Sequence, residues 1–198
     1  PNNRGEPRLR KAVQNSLQVR TGLSYCDSEE ILITTGATFG IYAALSSLVN
    51  PGDEVLLPEP VYDAYHGVIR LLGGRIRPVS GRLQHGRFVL DLDQMAAISG
   101  SGTRVLILNN PWNPTGTVFR RQELERIMAI ARDQNLLVIS DEIYDSILYG
   151  NREHVSPASV SQDARERTII VNSLSKTYAM TGWRLGYCAG PSAIMETM

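Results

Sequence analysis

Ile169-Ile170-Val171-Asn172-Ser173-Leu174-Ser175-Lys176, with Arg184 following in Thr181-Gly182-Trp183-Arg184, is the stretch whose reading decides the fold. Three apolar β-formers read as a buried strand that ends abruptly at polar groups. Two hydroxyls, an amine and a guanidinium gather at its exit. Hydroxyls and an arginine fork suit a phosphate, and a lysine held in a desolvated pocket can condense with an aldehyde. Standing alone, the segment would read as a strand running into an ordinary polar loop. Two further segments argue otherwise.

Upstream, Leu136-Leu137-Val138-Ile139-Ser140-Asp141-Glu142-Ile143-Tyr144 runs an apolar strand straight into an acidic pair. Before it, Val105-Leu106-Ile107-Leu108 leads into Asn109-Asn110-Pro111-Trp112-Asn113-Pro114-Thr115-Gly116. Here the prolines around Asn113 impose extended and turn conformations. Three strands thus end in Asn113, Asp141 and Lys176. In open α/β sheets, ligands bind in the crevice beyond the carboxyl ends of the strands. A coenzyme with a phenolic oxygen, a pyridine nitrogen, an aldehyde and a phosphate, namely pyridoxal 5′-phosphate (PLP), could use one of each.

With these motifs the chain resembles the large domain of a fold-type I PLP enzyme of the class I/II aminotransferases, related to aspartate aminotransferase. Asn-Pro-Thr-Gly, Ser-Asp-Glu-Ile-Tyr and Ser-x-Ser-Lys followed by Gly-Trp-Arg occur in the family's order, and the likeness spans nearly the whole chain. The resemblance implies that Lys176 carries the Schiff base and Asp141 faces the pyridine nitrogen. Asn113 and Tyr144 would bond the phenolic oxygen, and Ser173, Ser175 and Arg184 would hold the phosphate. It also assigns phosphate contacts to Gly36, Ala37 and Thr38. These close the strand Ile31-Leu32-Ile33 and open an apolar helix, whose N-terminal amides form an anion site. Tyr62, two residues after Pro60, would stack on the ring, an arrangement worth about 0.5–1.5 kcal/mol beyond area burial.

The implied activity is transfer of an amino group between an L-amino acid and a 2-oxo acid by a homodimer. Other reactions on the same fold are a β-lyase, a decarboxylase or a cyclopropane-forming synthase. A transcription regulator using such a domain as a sensor is a further alternative. By resemblance, residues 1–198 form the PLP-binding large domain. Pro1–Gly5 would follow an N-terminal arm, and Met198 would precede a C-terminal small domain carrying the arginine that grips the substrate carboxylate. The 198 residues alone would then bind PLP weakly, with negligible turnover.

Composition limits the other classes. A hydrophobic content of 42% over 198 residues supports one sizeable core. With 20 basic and 20 acidic side chains there is no electrostatic footprint for nucleic acid or an anionic membrane. No stretch reads as a secretory signal or reaches membrane-spanning length. Cys26 and Cys188 lie in no metal or redox spacing, which fits a reduced, cytoplasmic setting with both thiols inert. His66, His85 and His154 are scattered in polar contexts, so neither a metal site nor a histidine triad is expected.

Strand-like and helix-like runs alternate along the chain. Strands are expected at 31–35, 54–57, 75–79, 104–109, 136–140, 168–172 and 184–189, and helices at 37–48, 60–72 and 119–134. This pattern predicts a three-layer αβα domain with a mostly parallel seven-stranded sheet, whose last strand is antiparallel by resemblance. A short helix is expected at 92–98 within a polar segment, and 150–167 reads as a surface excursion.

Overall fold

A computed structural model describes residues 3–198; Pro1 and Asn2, the start of the segment expected to follow an N-terminal arm, lie outside the described residues. The strands are β1 (Ile31–Thr34), β2 (Glu54–Glu59), β3 (Arg75–Gln84), β4 (Arg87–Leu90), β5 (Thr103–Asn109), β6 (Leu137–Asp141), β7 (Thr168–Ser173) and β8 (Gly186–Ala189). They form one sheet in the order β1-β8-β7-β6-β5-β2-β3-β4. The pairings β3-β2, β2-β5, β5-β6 and β6-β7 are parallel. β8 lies antiparallel between β7 and β1, as expected for the last strand.

The middle residues of the central strands are apolar on both faces, as suits strands covered by helices on each side. Alternate residues point to opposite layers: Ile107, Ile139 and Val171 enter one core, while Leu106, Val138 and Ile170 face the other side. The first layer holds α2 (Gly36–Leu48), α3 (Ala64–Leu71) and α8 (Ser192–Met195). The second holds α1 (Pro7–Thr21), α4 (Leu92–Ile98), α5 (Arg121–Asp133) and α6 (Gln162–Arg167). One-turn helix α7 (Leu174–Thr177) follows β7 directly. The three-layer αβα expectation therefore holds.

Four expectations need correction. The sheet has eight strands rather than seven, because the polar stretch after β3 folds back as a hairpin, pairing Gly81 with Leu90 and Gln84 with Arg87. Its polar sequence hides it, since β3 is exposed along most of its outer length. The helix expected at 60–72 begins only at Ala64. Helix α1 was not expected at all: it is mostly polar and buries a narrow stripe of Val13 and Leu17. Its ends do carry signals, with Pro7 as its first residue and Gly22 at φ 73° closing it. Finally, 150–167 is no mere surface excursion, because Ser156, Ala158 and Ala164 are buried.

Candidate active site

At the carboxyl ends of β5, β6 and β7 lies a cavity of about 240 Å³. Its lining includes Ala37, Thr38, Tyr62, Asn113, Asp141, Tyr144, Ser173, Ser175, Lys176 and Arg184. The remaining expected residue, Gly36, borders it beside Arg184. Residues far apart in sequence meet here because parallel strands of one sheet all end on the same side.

Asp141 ends β6 and is buried. Its Oδ2 accepts the Tyr65 hydroxyl at 2.5 Å and its Oδ1 the Ile143 amide at 3.2 Å. Among the described residues it has no salt-bridge partner. Burial pushes its carboxyl up to about 6, against the lowering effect of the two donors, and the neighbouring Glu142 charge adds to the rise. Tyr65 itself is held well above the ordinary tyrosine range by burial and by Asp141. A buried carboxylate with donors but no counterion is a place for a cation.

Asn109 ties two strand exits together. Its Nδ2 donates to the Asp141 carbonyl at 2.9 Å, and its Oδ1 accepts the Asn113 amide at 2.6 Å. The turn carrying Asn113 closes through a Trp112–Thr117 bridge. Trp112 anchors that turn by stacking on Phe119 at 5.6 Å and donating its indole N–H to the Pro60 carbonyl at 2.8 Å. Tyr62 is 47% exposed and meets Tyr65 edge-on at 5.8 Å, leaving a ring face free at the mouth of the cavity.

An anion cradle forms opposite. Thr35 precedes α2 but its side chain caps none of the first-turn amides, so these donors remain available. Gly36 adopts φ +80°, and a Cβ there would stand 2.4 Å from a terminal nitrogen of Arg184. Gly186 opens β8 so close to this turn that a Cβ would lie 2.6 Å from the Gly36 carbonyl carbon. Arg184 sits in the left-handed region at φ 52° and donates to the Thr181 carbonyl at 3.1 Å. For a residue with a side chain this conformation is strained, and such strain concentrates at ligand clamps. The Ser173 hydroxyl accepts the Ser175 amide at 3.2 Å, which turns the chain from β7 into α7. Lys176 is exposed at the open side, its Nζ 5.7 Å from the Tyr144 ring centroid.

Sequence reasoning missed Tyr65, Asn109, Glu142 and His154. Tyr65 stands one helical turn beyond Tyr62, and Asn109 immediately precedes the Asn-Pro motif. His154 was set aside as a polar-loop residue, yet its side chain is 8% exposed and its Nε2 lies 2.8 Å from Glu142. No sequence spacing links these two residues. Their contact depends on how 150–156 packs behind β6.

Fold and cavity together define a doubly covered α/β domain that gathers an amine, a buried carboxylate and a guanidinium beside a helix N-terminus around one cavity. The chain belongs to the class I and II aminotransferase family, whose model matches residues 1–198. It is 39% identical to an aspartate aminotransferase of Pyrococcus abyssi over 99% of this chain and 50% of that protein. It is also 39% identical to an arginine–pyruvate transaminase of Pseudomonas aeruginosa, over 96% of this chain and 48% of that protein. Among solved structures, N-succinyldiaminopimelate aminotransferase from Mycobacterium tuberculosis superposes with a TM-score of 0.97 at 37% identity, covering 100% of this chain and 51% of that one. The chain thus spans about half the length of the relatives it matches. No helix among the described residues is long and apolar enough to cross a membrane, and no cluster there could hold a metal ion.

Proposed function

We propose that the protein carrying this chain is a PLP-dependent aminotransferase that moves an amino group between an L-amino acid and a 2-oxo acid. Residues 1–198 are its coenzyme-binding large domain, and the working protein is a cytoplasmic homodimer. The observation that supports this most is Asp141, a buried carboxylate without a counterion, in one cavity with Lys176 and the Gly36–Arg184 cradle.

The donor set fits PLP group by group. The cradle of Gly36, Ala37, Thr38, Ser173, Ser175 and Arg184 suits the phosphate. Asp141 suits a protonated pyridine nitrogen, whose positive charge would stabilise the carboxylate in turn. Asn113 and Tyr144 can bond the phenolic oxygen, and the free face of Tyr62 can stack on the ring. When bound, PLP supplies an aldehyde that takes up the amino group and a conjugated ring that accepts electron density. Lys176 would hold the coenzyme through its aldehyde, and its Nζ is the base and acid placed to move the substrate Cα proton. Asp141 would hold the proton on the pyridine nitrogen. Asn113 also orients the substrate carboxylate, and the bonds of Asn109 fix Asn113 and Asp141 relative to each other.

Incubation of the full-length protein with PLP, followed by removal of free coenzyme, tests the reading. Wild type should retain a visible absorption band that Lys176→Ala lacks. A wild-type protein left colourless would refute the assignment.

A further inference from the structure

We propose that Glu142 and His154 form a pair behind Asp141 that modulates its charge on top of the effect of burial, making both of them positioning residues for amino-group transfer. Asp141 points into the coenzyme cavity, while Glu142 points to the opposite layer and is 1% exposed. Glu142 Oε1 accepts hydroxyls from Ser140 at 2.9 Å and Ser156 at 2.6 Å, and Oε2 meets His154 Nε2 at 2.8 Å. Adjacent buried carboxylates repel unless polar partners offset their charge, and the two hydroxyls and the imidazole are the partners set against Glu142. Among the described residues His154 Nδ1 is buried without a hydrogen-bond partner, so Glu142 is the polar anchor this ring has there.

The surroundings leave this pair as the adjustable element behind Asp141. From the neighbouring elements Tyr65 of α3, Tyr144 and Cys188 of β8 face Asp141, while Tyr25 and Tyr187 feel Glu142. Burial holds all five above their ordinary ranges, Cys188 at about 12, so they remain neutral at ordinary pH. The nearby ion pairs Arg165–Glu30 and Arg20–Asp145 are each internally balanced. The cations of the cavity, Lys176 and Arg184, lie on the side that takes the coenzyme.

The test measures the titration midpoint of the Asp141 carboxyl by 13C NMR in coenzyme-free protein, with a visible-absorption titration of the PLP-loaded protein beside it. Glu142→Gln removes the like charge and should lower the midpoint by roughly one unit. His154→Gln leaves Glu142 less opposed and should raise it by a similar amount, while the double variant should return close to wild type. A pair that merely braced the 150–156 segment would lower stability without moving the midpoint. An unmoved midpoint in Glu142→Gln, or shifts of the same sign in both single variants, overturns the inference. Should His154→Gln fail to fold, the near-isosteric Glu142→Gln decides alone. The inference rests on the coenzyme reading above, and the two fail separately: wild type that binds no PLP defeats that reading, whereas a wild type that binds PLP, with variants whose midpoints do not move, defeats only this one.

Discussion

Asp141→Asn should stabilise the coenzyme-free protein at alkaline pH. The Asp141 carboxyl is pushed from its ordinary 3.8 up to about 6 in the fold. That difference is about two units, and at 1.36 kcal/mol each it amounts to roughly 3 kcal/mol. A folded-state value raised above the unfolded one means that the native state binds the proton more tightly. Its contribution is therefore complete below about pH 4 and is lost as pH rises through about 6. Asparagine keeps the shape, can accept the Ile143 amide at Oδ1, and can donate to the Tyr65 oxygen, yet it never ionises. Urea unfolding of both proteins without coenzyme should thus give similar stabilities near pH 4. Near pH 8 the asparagine variant should be ahead by roughly 3 kcal/mol. Saturating PLP should narrow or reverse the gap, because the ring cation stabilises only the carboxylate. A gap that stays constant with pH, or a wild type that is the more stable at pH 8 without coenzyme, would refute the picture of an uncompensated buried charge.

Gly36→Ala combines a φ of +80° with a Cβ 2.4 Å from the Arg184 guanidinium. It should cost about 1–3 kcal/mol in stability and weaken PLP retention by tenfold or more, read by thermal unfolding and equilibrium dialysis. Arg87→Ala breaks a two-pronged pair with Glu123, both contacts at 2.7 Å, at the start of α5. The loss should be about 1 kcal/mol at neutral pH. Arg87 holds Glu123 below the ordinary carboxylate range, so that difference should fade as acid protonates Glu123, checked by urea unfolding across pH. Trp112→Ala empties a site that is 1% exposed and removes the stack on Phe119, and should cost about 3–5 kcal/mol by the same assay.

The cavity was more legible than the sheet that builds it. Asp141, Lys176 and Asn113 stand at or just beyond the ends of apolar runs, and an apolar run that stops at a polar residue marks both a strand and its exit, whereas Arg184 precedes its strand, β8. β5, β6 and β7 read plainly because burial on both faces favours unbroken apolar runs, with buried polar residues confined to their ends. The hairpin of β3 and β4 carries no such mark. Leu83 is 66% exposed, and polar residues fill the outward positions, so pairing partners rather than burial make it a strand. Helix α1 escaped because its apolar stripe is too narrow for a period to stand out against Arg8, Lys11, Gln14 and Gln18. Tyr65, Asn109, Glu142 and His154 act through contacts made across layers, and such contacts leave no spacing in the chain.

β1 forms its sheet pairing with β8 alone, Ile31 lying opposite Ala189. During synthesis, β1 must therefore wait for β8 before it gains a neighbour. Contacts this distant along the chain slow folding, and until they form the outer edge of β7 stays open to other strands. The cradle shares that delay, since Gly36 at the head of α2 is pressed against Gly186 at the start of β8. A nascent chain that has already exposed Lys176 still lacks its finished anion site until Gly186 has left the ribosome.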